Sequence, residues 1–525
     1  MESCTCTCRQ SYVWESGFTF SGKSLVRDAS LFHLRLRQTV FCCYVWEKLK
    51  IFKYTSSLLN NSKMVRVISQ ETFNDVVKEN IQEFSMSPEE AIESAVQEFE
   101  AQGVDLSNVV KELMENTPAD SSKKSLLHTI SRLKGLLKTD TKLPELCQEL
   151  SELKAECDKD LAHKILAGKN GAYDLLIKVL ELYETNRDVT LVTLDAMISL
   201  MTGQPDLLDE KGTNLIIKFL KEHIDLGTQR QVLQWTKQCC LKHENNRQNI
   251  FDQDIVNILK QFLENGASSA LLIRDVCSVT KALVVDDDIR VEFGKAHEHA
   301  RSFANEILTI IVDLLRKYPD DKETLSSLFS TLSALVVTND FCQLVEEAGG
   351  LIFINDVMVN FPDSEKINQQ CLWLLKNLAG NDEVKMKIIR NGTAPLIIGA
   401  MERHRKSPYV ILAGNACIAA LSLRSPLHSR ALCDAGAAEA VVYGMKAHLD
   451  RVDLQVKGCW AIRNIVARER SLAPLFLEMG IEEHLNSIIK KHDKRCDYDV
   501  KAALRDLGCE VKLIEQWTGK GGALN

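Results

Sequence analysis

The chain has 525 residues, of which 45% are hydrophobic and 26% are charged, while only 25 are Gly and 10 are Pro. This length exceeds that of one compact domain, and the low Gly and Pro content favours helices over sheets. The formal net charge of -8 argues against nucleic-acid binding through the overall electrostatic field of the chain. No apolar run approaches the ~20 residues of a membrane span. The composition therefore predicts a helical protein with neither a nucleic-acid nor a membrane partner.

Residues 1–63 differ in composition from the rest of the chain. They contain five Cys and nine Lys or Arg against four acids, without a sustained helical period or a signal-peptide core. Cys4, Cys6 and Cys8 could hold a soft metal, but no second ligand cluster has structural-zinc spacing. We therefore expect a disordered extension, and we predict no metal and no other cofactor.

The remaining cysteines bear on the cellular compartment. Twelve of the 17 Cys follow residue 140, and they lie inside apolar runs such as NACIAALSL without the paired spacing of a disulfide framework. Scattered cysteines of this kind are typical of buried free thiols in a reducing environment. We therefore expect a cytoplasmic or nuclear protein, with the cytosol favoured.

Residues 64–120 form an acidic segment with thirteen Asp or Glu against three Lys or Arg. In SPEEAIESAVQEF, Ser87 is placed as a helix N-cap, Pro88 follows at the first helical position, and Glu90 completes a capping box. The next apolar residues make one helical stripe, namely Ala91, Ile92, Ala95, Val96 and Phe99. We expect an acidic helical segment that folds back onto basic residues elsewhere in the chain.

Residues 121–517 repeat with a period near 42 residues. The residues that close the long apolar helices are separated by 40, 43, 52, 43, 43, 44 and 42 residues: Leu200, Cys240, Leu283, Leu335, Leu378, Leu421, Ile465 and Leu507. Such a period indicates stacked helical units, each of which buries its apolar face against its neighbours. The long step predicts an insertion near 284–306, and residues 518–525 are expected to be a flexible tail.

A second feature, a recurring Gly, repeats with the same period as the closing residues. A Gly lies 27 to 29 residues before six of the closing positions: Gly171, Gly212, Gly350, Gly392, Gly436 and Gly480. Each is followed by an apolar helix, so the sequence predicts a sharp turn at each Gly between two helices.

The stretches CLWLLKNLAG at 371–380 and GCWAIRNIVA at 458–467 both place a Trp four residues before an Asn. With the Gly-marked three-helix unit, this pattern resembles the armadillo-repeat family, more closely than the related HEAT repeat. The resemblance implies an all-α, right-handed α-solenoid of eight or nine units. It also implies that each third helix lines a concave groove, where the Asn amide binds the backbone of an extended peptide and the Trp packs on its side chains.

Carried onto this sequence, the resemblance assigns a partner-binding groove to Asn377 and Asn464, with Trp373 and Trp460 as packing surfaces. The other units depart from the pattern, since Ala416 and Ala420 occupy both positions between the two pairs. A structural reading also stands, in which the Trp fills the core and the Asn caps a helix.

The residue before the Asn position is basic in three units: Lys376, Arg463 and Arg505. Basic residues in a peptide groove favour an acidic or phosphorylated partner. The sequence therefore predicts a non-catalytic protein-interaction scaffold. The alternative, a nuclear transport adaptor that recognises a basic localisation peptide, would need acids at these positions.

The inserted stretch VVDDDIRVEFGKAHEHARSF contains two further features. Asp286, Asp287 and Asp288 lack EF-hand spacing and are expected to form a solvated acidic turn. His297 and His299 form an H-x-H motif without an evident third metal ligand. The motif resembles the alternating-His sites of a histidine methyltransferase, which implies that enzyme as a partner and methylation at His297 or His299, although Glu298 is larger than the usual middle residue.

Motifs for catalysis are absent from the sequence. It contains no G-x-S-x-G elbow, no Gly-rich phosphate loop ending in GK and Ser or Thr, and no H-E-x-x-H. We therefore predict that the protein is not an enzyme and has no catalytic residues.

Overall fold

The computed structural model describes residues 66–68, 70–84, 86–101, 104–106, 109–111, 121–138, 142–222, 225–266, 268–291, 293–492 and 495–513. The chain divides into two units, Met1–Met64 and Val65–Asn525, and all described residues belong to the second. The extension predicted over 1–63 and the tail predicted over 518–525 lie outside the described residues.

The acidic segment folds as two helices and two short strands. Helix α1 (Gln70–Phe84) and helix α2 (Pro88–Ala101) follow strand β1 (Arg66–Val67), which pairs in parallel with β2 (Val104–Asp105). The sequence analysis missed this strand pair, because two-residue strands are too short to show an alternating pattern.

The predicted capping box at the start of α2 is confirmed. The backbone N–H of Glu90 donates to Ser87 Oγ at 3.3 Å, and the backbone N–H of Ser87 donates to Glu90 Oε2 at 3.0 Å. The apolar stripe of α2 packs against α1, where Phe73 and Val77 are both 1% exposed. The two helices thus cover each other's apolar faces, and the acids of both helices whose side chains are described are exposed.

From residue 121 onwards the described chain is helical. Helices α3 to α14 are Ser121–Leu136, Leu143–Cys157, Leu161–Lys169, Ala172–Leu182, Arg187–Met201, Glu210–Lys221, Leu226–Cys240, Glu244–Phe251, Ile255–Asn265, Ala270–Val284, Ala296–Lys317 and Lys322–Leu335. Helices α15 to α26 are Asn339–Glu347, Gly350–Asn360, Glu365–Leu378, Asp382–Arg390, Thr393–Arg403, Pro408–Ser422, Pro426–Asp434, Ala437–Ala447, Val452–Val466, Ala473–Glu478, Ile481–His492 and Asp497–Leu507. Short 3₁₀ helices span Pro205–Leu207 and Arg470–Leu472.

The long helices that the sequence analysis aligned stack side by side, and one earlier helix, α4, joins their series. We call them the third helices, and they are α4, α7, α9, α12, α14, α17, α20, α23 and α26. Each packs against the next one along this series, and a single hydrophobic cluster runs from Leu126 to Leu507. The predicted α-solenoid is confirmed, since each repeat contacts chiefly its neighbours.

The glycine turns are confirmed at four of the six predicted positions. Gly171, Gly392, Gly436 and Gly480 have φ between 71° and 98°, a left-handed conformation that L side chains rarely adopt. The other two positions were wrong. Gly212 lies inside α8, and in α16 the left-handed residue is Gly349 rather than Gly350.

The long step in the repeat arises from a fused helix. In the unit that ends with α14, the single helix α13 (Ala296–Lys317) takes the place of separate first and second helices. Loop residues 285–291 and 293–295 precede it. The inserted residues predicted near 284–306 therefore divide between this loop and the first half of α13.

The expectation of a solvated acidic turn was wrong for two of its three acids. Asp287 accepts from Arg247 Nη1 at 2.6 Å, and Asp288 accepts from the backbone N–H of Glu244 at 2.8 Å. Asp288 is only 7% exposed. These acids fasten the loop to α10 of the preceding unit, a contact across about 40 residues that local spacing cannot reveal.

A histidine ladder connects the last units. The second helices α19, α22 and α25 end at or beside His404, His448 and His492. Each ring Nε2 donates to a backbone carbonyl of the preceding unit, that of Pro362 at 2.8 Å, Arg405 at 2.9 Å and Leu449 at 2.6 Å. Hydrogen bonds, as well as apolar packing, thus join each of these three units to the unit before it.

Removing one rung of this ladder should weaken the array. We expect His448→Ala to lower the free energy of unfolding by about 1 kcal/mol, because the ring loses its bond to the Arg405 carbonyl. The measurement is the midpoint of urea unfolding, with His297→Ala as the control at an exposed histidine. Equal midpoints for the two variants would contradict a stabilising role for the ladder.

Candidate functional site

The residues predicted from the sequence lie on the third helices near the C-terminal end of the array. Trp373, Lys376 and Asn377 belong to α17, and the second Trp, Arg and Asn set belongs to α23. Between them α20 presents Ala416 and Ala420. We call the partly exposed side of α12, α14, α17, α20, α23 and α26 the third-helix face.

Both asparagine amides connect neighbouring third helices. Asn377 Nδ2 donates to the backbone carbonyl of Ser333 on α14 at 2.7 Å, and Asn464 Nδ2 donates to that of Ala419 on α20 at 2.8 Å. Asn377 Oδ1 also accepts from Lys376 Nζ at 3.1 Å. Each amide therefore supports the array, and its second N–H is the group that could reach a partner.

The two tryptophans are partly buried and pack against the hydrophobic core. Trp460 Nε1 donates to Asp499 Oδ1 at 2.8 Å, and Lys457 Nζ lies 3.6 Å from the centroid of the Trp460 ring. The equivalent Trp235 is fully buried on α9, as the core-filler reading predicts. Trp373 and Trp460 thus keep surface that Trp235 lacks.

The two arginines predicted for the groove share one acid. Arg463 Nε lies 3.2 Å from Asp506 Oδ2, and an Nη of Arg505 lies 2.7 Å from Asp506 Oδ1. Their positive charge is therefore partly offset within the protein. The arginines are weaker candidates for an anionic partner than their residue type alone suggests.

Three lysines have no acid within ion-pair distance, although Asp499 and Asp453 lie near enough to Lys457 to favour its charged form. Lys281, Lys376 and Lys457, which we call the half-buried lysines, are partly exposed, and none forms an ion pair with a described residue. Lys281 Nζ instead donates to Ser330 Oγ at 2.8 Å. Burial lowers the pKa of Lys281 and Lys376, and burial together with the charge of Lys376 lowers the pKa of Lys457 to about 8.

The acids of the third helices, by contrast, already have hydrogen-bond or ion-pair partners within the protein. From α7 to α26 each Asp or Glu of a third helix accepts a hydrogen bond or forms an ion pair, and these acids are Asp188, Asp195, Asp275, Glu323, Glu365, Asp453, Asp497, Asp499 and Asp506. The described third-helix face therefore offers an anion more free charge than it offers a cation.

The sequence analysis missed Lys281 and Lys457 for different reasons. Lys281 precedes its closing residue Leu283 by two positions, as Lys376 precedes Leu378, so the repeat register could have identified it. Lys457 lies one helical turn before Trp460, where the equivalent residue of α17 is the uncharged Gln370. No repeated pattern marks it, and only its contact with the Trp460 ring shows its position.

The H-x-H motif lies in the first turn of α13, where its two residues have different surroundings. His297 is exposed, whereas His299 is 2% exposed and stacks on Phe251 with ring centroids 3.8 Å apart. His299 Nδ1 lies 3.1 Å from the carbonyl of Leu283, and burial lowers its pKa. Methylation at this motif stays a prediction, and in the folded chain His297 is the accessible residue.

Among the described residues, no group of three or more His, Cys, Asp and Glu is arranged to hold a metal ion. No helix among them combines the length and apolar character needed to cross a bilayer.

Comparison with known proteins identifies the family. The ARMC6 family model matches residues 126–525, and the model of the Armadillo repeat-containing protein 6 N-terminal domain matches residues 65–126. The chain belongs to the Armadillo repeat-containing protein 6 family. The N-terminal match begins at the acidic segment and ends where the hydrophobic cluster of the array begins.

Relatives in the family match most of the chain. The chain is 41% identical over 470 residues to the Armadillo repeat-containing protein 6 homolog of Drosophila melanogaster, covering 87% of this chain and 98% of the relative. It is 35% identical over 478 residues to Armadillo repeat-containing protein 6 of Homo sapiens, covering 88% and 95%. Among solved structures, a designed armadillo repeat protein matches at 16% identity with a TM-score of 0.39, covering 48% of this chain and 99% of that one.

Proposed function

We propose that this protein is a non-catalytic interaction scaffold whose third-helix face binds an acidic segment of a protein partner. The observation that carries the proposal is the imbalance on that face. The half-buried lysines have no carboxylate partner among the described residues, whereas the acids of the third helices already have donors. An ammonium group that has lost part of its water gains more from an anion than a fully solvated one does.

The spacing of the lysines suits an extended partner. Lys281, Lys376 and Lys457 lie on α12, α17 and α23, and one further third helix separates each from the next. Packed helices lie about 8–10 Å apart, so a partner that contacts all three must cross five helices. An extended segment spans this distance, and the second N–H groups of Asn377 and Asn464 offer it backbone hydrogen bonds on the way.

The same contacts argue against recognition of a basic localisation peptide. To bind Asp275, Asp499 or Asp506, the basic residues of such a peptide would have to displace the side chains that already contact these carboxylates. The half-buried lysines would also repel the peptide. We therefore rank the transport-adaptor reading second.

The test compares peptides of opposite charge. We expect the triple variant Lys281→Gln, Lys376→Gln, Lys457→Gln to bind labelled peptides rich in Asp and Glu about a hundredfold more weakly than wild type, since three lost contacts of about 1 kcal/mol each sum to about 3 kcal/mol. Fluorescence anisotropy measures the affinity, and Lys/Arg-rich and Gly/Ser-rich peptides serve as reference probes.

The matched control is Lys211→Gln, Lys406→Gln, Lys490→Gln, which removes the same charge away from the third helices. Lysine variants are preferred to Asn377→Ala and Asn464→Ala, because these amides also join the helices. Tighter binding of the basic peptide than of the acidic one by wild type would overturn the proposal. Equal effects of the two triple variants would also overturn it.

A further inference from the structure

A ring side chain recurs at the edge of the array where the second helices end and the third helices begin. We call the residue at or directly after the last residue of each second helix the ring position. Six of the eight units have a ring there, namely Tyr183, Tyr318, Phe361, His404, His448 and His492. All six are buried or half-buried. These rings therefore fill space along this edge.

The rings of the later units face the unit before them. The three histidines donate to carbonyls of the preceding unit, and Lys322 Nζ of the preceding unit lies 5.4 Å from the centroid of the Phe361 ring. A unit without a ring therefore lacks packing against its predecessor at this place.

Two units have no ring at this position. One has the exposed Glu222, and the other, which contains α11 and α12, has Gly266. A Cβ added at Gly266 would stand 2.5 Å from Leu272 Cδ2 and from the carbonyl oxygen of Phe262. The tight turn thus prevents this unit from placing a ring of its own without a local shift.

A cavity lies beside Gly266, between its unit and the preceding one. Its volume is about 350 Å³, and its apolar lining comes from both units: Leu220, Leu226, Ile258, Phe262 and Leu272. Of these side chains only Leu226 is exposed, at 45%. Polar residues including Gln261 and Asn265 also line the cavity and are exposed. An apolar interior with a polar rim is typical of a ligand site.

We propose that this cavity binds one aromatic side chain, Phe or Tyr, of a partner protein. The repeat itself indicates the chemistry of the occupant, because six other units place a ring at the equivalent position. Phe262 offers an entering ring an aromatic contact, and Leu226 offers it apolar surface at the opening.

The cavity is separate from the half-buried lysines. Ser269 lines the cavity, and Lys281 lies twelve residues further along α12, at a distance of about 18 Å. The site therefore goes beyond the proposed function and does not depend on an acidic partner.

The experiment uses four blocked peptides, Gly-Ser-X-Ser-Gly, in which X is Phe, Tyr, Leu or Ala. Saturation-transfer difference NMR with the full-length protein measures their affinities, and p-cresol serves as a small-molecule probe. We expect the Phe and Tyr peptides to bind about fivefold more tightly than the Leu peptide, because only a ring gains the aromatic contact with Phe262.

Two variants remove the site in different ways. Gln229→Trp places a large side chain in the cavity, and Leu226→Ser removes apolar surface at the opening, so both should abolish the preference for Phe and Tyr. The matched control is Leu271→Ser, since Leu271 is 47% exposed in the first turn of α12 but does not line the cavity. The control and the triple Lys→Gln variant should both keep the preference. Circular dichroism during urea unfolding identifies any variant that fails to fold.

The possible results separate this site from the proposed function. Equal affinities for the four peptides would overturn the site, and so would an unchanged preference in Leu226→Ser. Binding of p-cresol without binding of either aromatic peptide would assign the cavity to a small aromatic molecule and overturn the docking of a partner side chain. If the aromatic peptides bind but acidic peptides do not, the proposed function fails and this site stands.

Discussion

Replacing Arg247 by Met is expected to lower the free energy of unfolding by about 3–5 kcal/mol. Arg247 is fully buried, with Nε 2.9 Å from Glu244 Oε2 and Nη1 2.6 Å from Asp287 Oδ1. Its Nη1 also donates to the carbonyl of Cys240 at 2.9 Å. The substitution leaves Glu244, which is 1% exposed, as an uncompensated buried charge and removes the contact to Asp287, one of those that hold the following loop against α10.

A double variant identifies the cause of this loss. Glu244→Gln with Arg247→Met should unfold at higher denaturant concentration than Arg247→Met alone, because the buried carboxylate has been removed as well. The amide of Gln can still accept from the backbone N–H of Lys295, which Glu244 Oε1 now does at 2.6 Å. Equal midpoints for the single and double variants would contradict the buried-charge explanation.

The control for these variants is an exposed ion pair of similar length. Arg403 Nη1 lies 2.7 Å from Asp363 Oδ1, with the two side chains 52% and 81% exposed. Arg403→Met should change the stability by less than about 1 kcal/mol, since solvent screens the pair. Circular dichroism during urea unfolding measures all the variants. A comparable loss at Arg403 and Arg247 would show that burial is not the deciding factor.

The repeat was predictable from the sequence because burial imposes the same apolar pattern on every unit. The closing residues Leu200 to Leu507 and the Ser87 capping box are local or strictly periodic features, and the structure has both. Gly212 shows the limit of this reasoning. It has the correct register but lies inside α8, where an added Cβ would stand about 2 Å from the Tyr173 hydroxyl, so close packing explains the glycine there.

The candidate site was only partly predictable, because charge type does not reveal charge pairing. Arg463 and Lys376 occupy equivalent positions in the repeat, but only Arg463 has an acid beside it, Asp506 from the next third helix. Whether a base is free for a partner depends on residues about 40 positions away. The sequence predicted that the Trp, Asn and basic residues share the long third helices, as the structure shows, while the choice of particular lysines required the three-dimensional contacts.

The half-buried lysines should reduce the stability of the free protein. A charged group that has lost water without gaining an ionic partner disfavours folding, so Lys376→Met with Lys457→Met should raise the free energy of unfolding by about 2 kcal/mol. The Met side chains keep most of the volume of the lysine stems. The control Lys211→Met with Lys406→Met, at exposed positions, should leave the stability nearly unchanged.

The pH dependence of the single variant Lys457→Met tests this mechanism, because the pKa of Lys457 is lowered from 10.5 to about 8 in the folded state. Below pH 8 the lysine is charged in both states, and its full destabilising effect is present. Between about pH 8 and 10.5 the folded protein releases the proton while the unfolded chain keeps it, so the stability of wild type rises with pH relative to the Met variant. Urea unfolding at about pH 7 and 9.5 should therefore show a narrowing difference.

A difference that stays constant or widens with pH would contradict the assignment of the effect to a disfavoured ammonium. The narrowing would mean that the wild-type array retains a destabilising charge at neutral pH that a simple substitution removes. Residues that bind a partner commonly reduce the stability of the free protein in this way. If the double variant Lys376→Met with Lys457→Met also fails to bind acidic peptides, the same two ammonium groups account for both the lower stability of the free protein and the binding. Unrelated surface charges would not produce both effects.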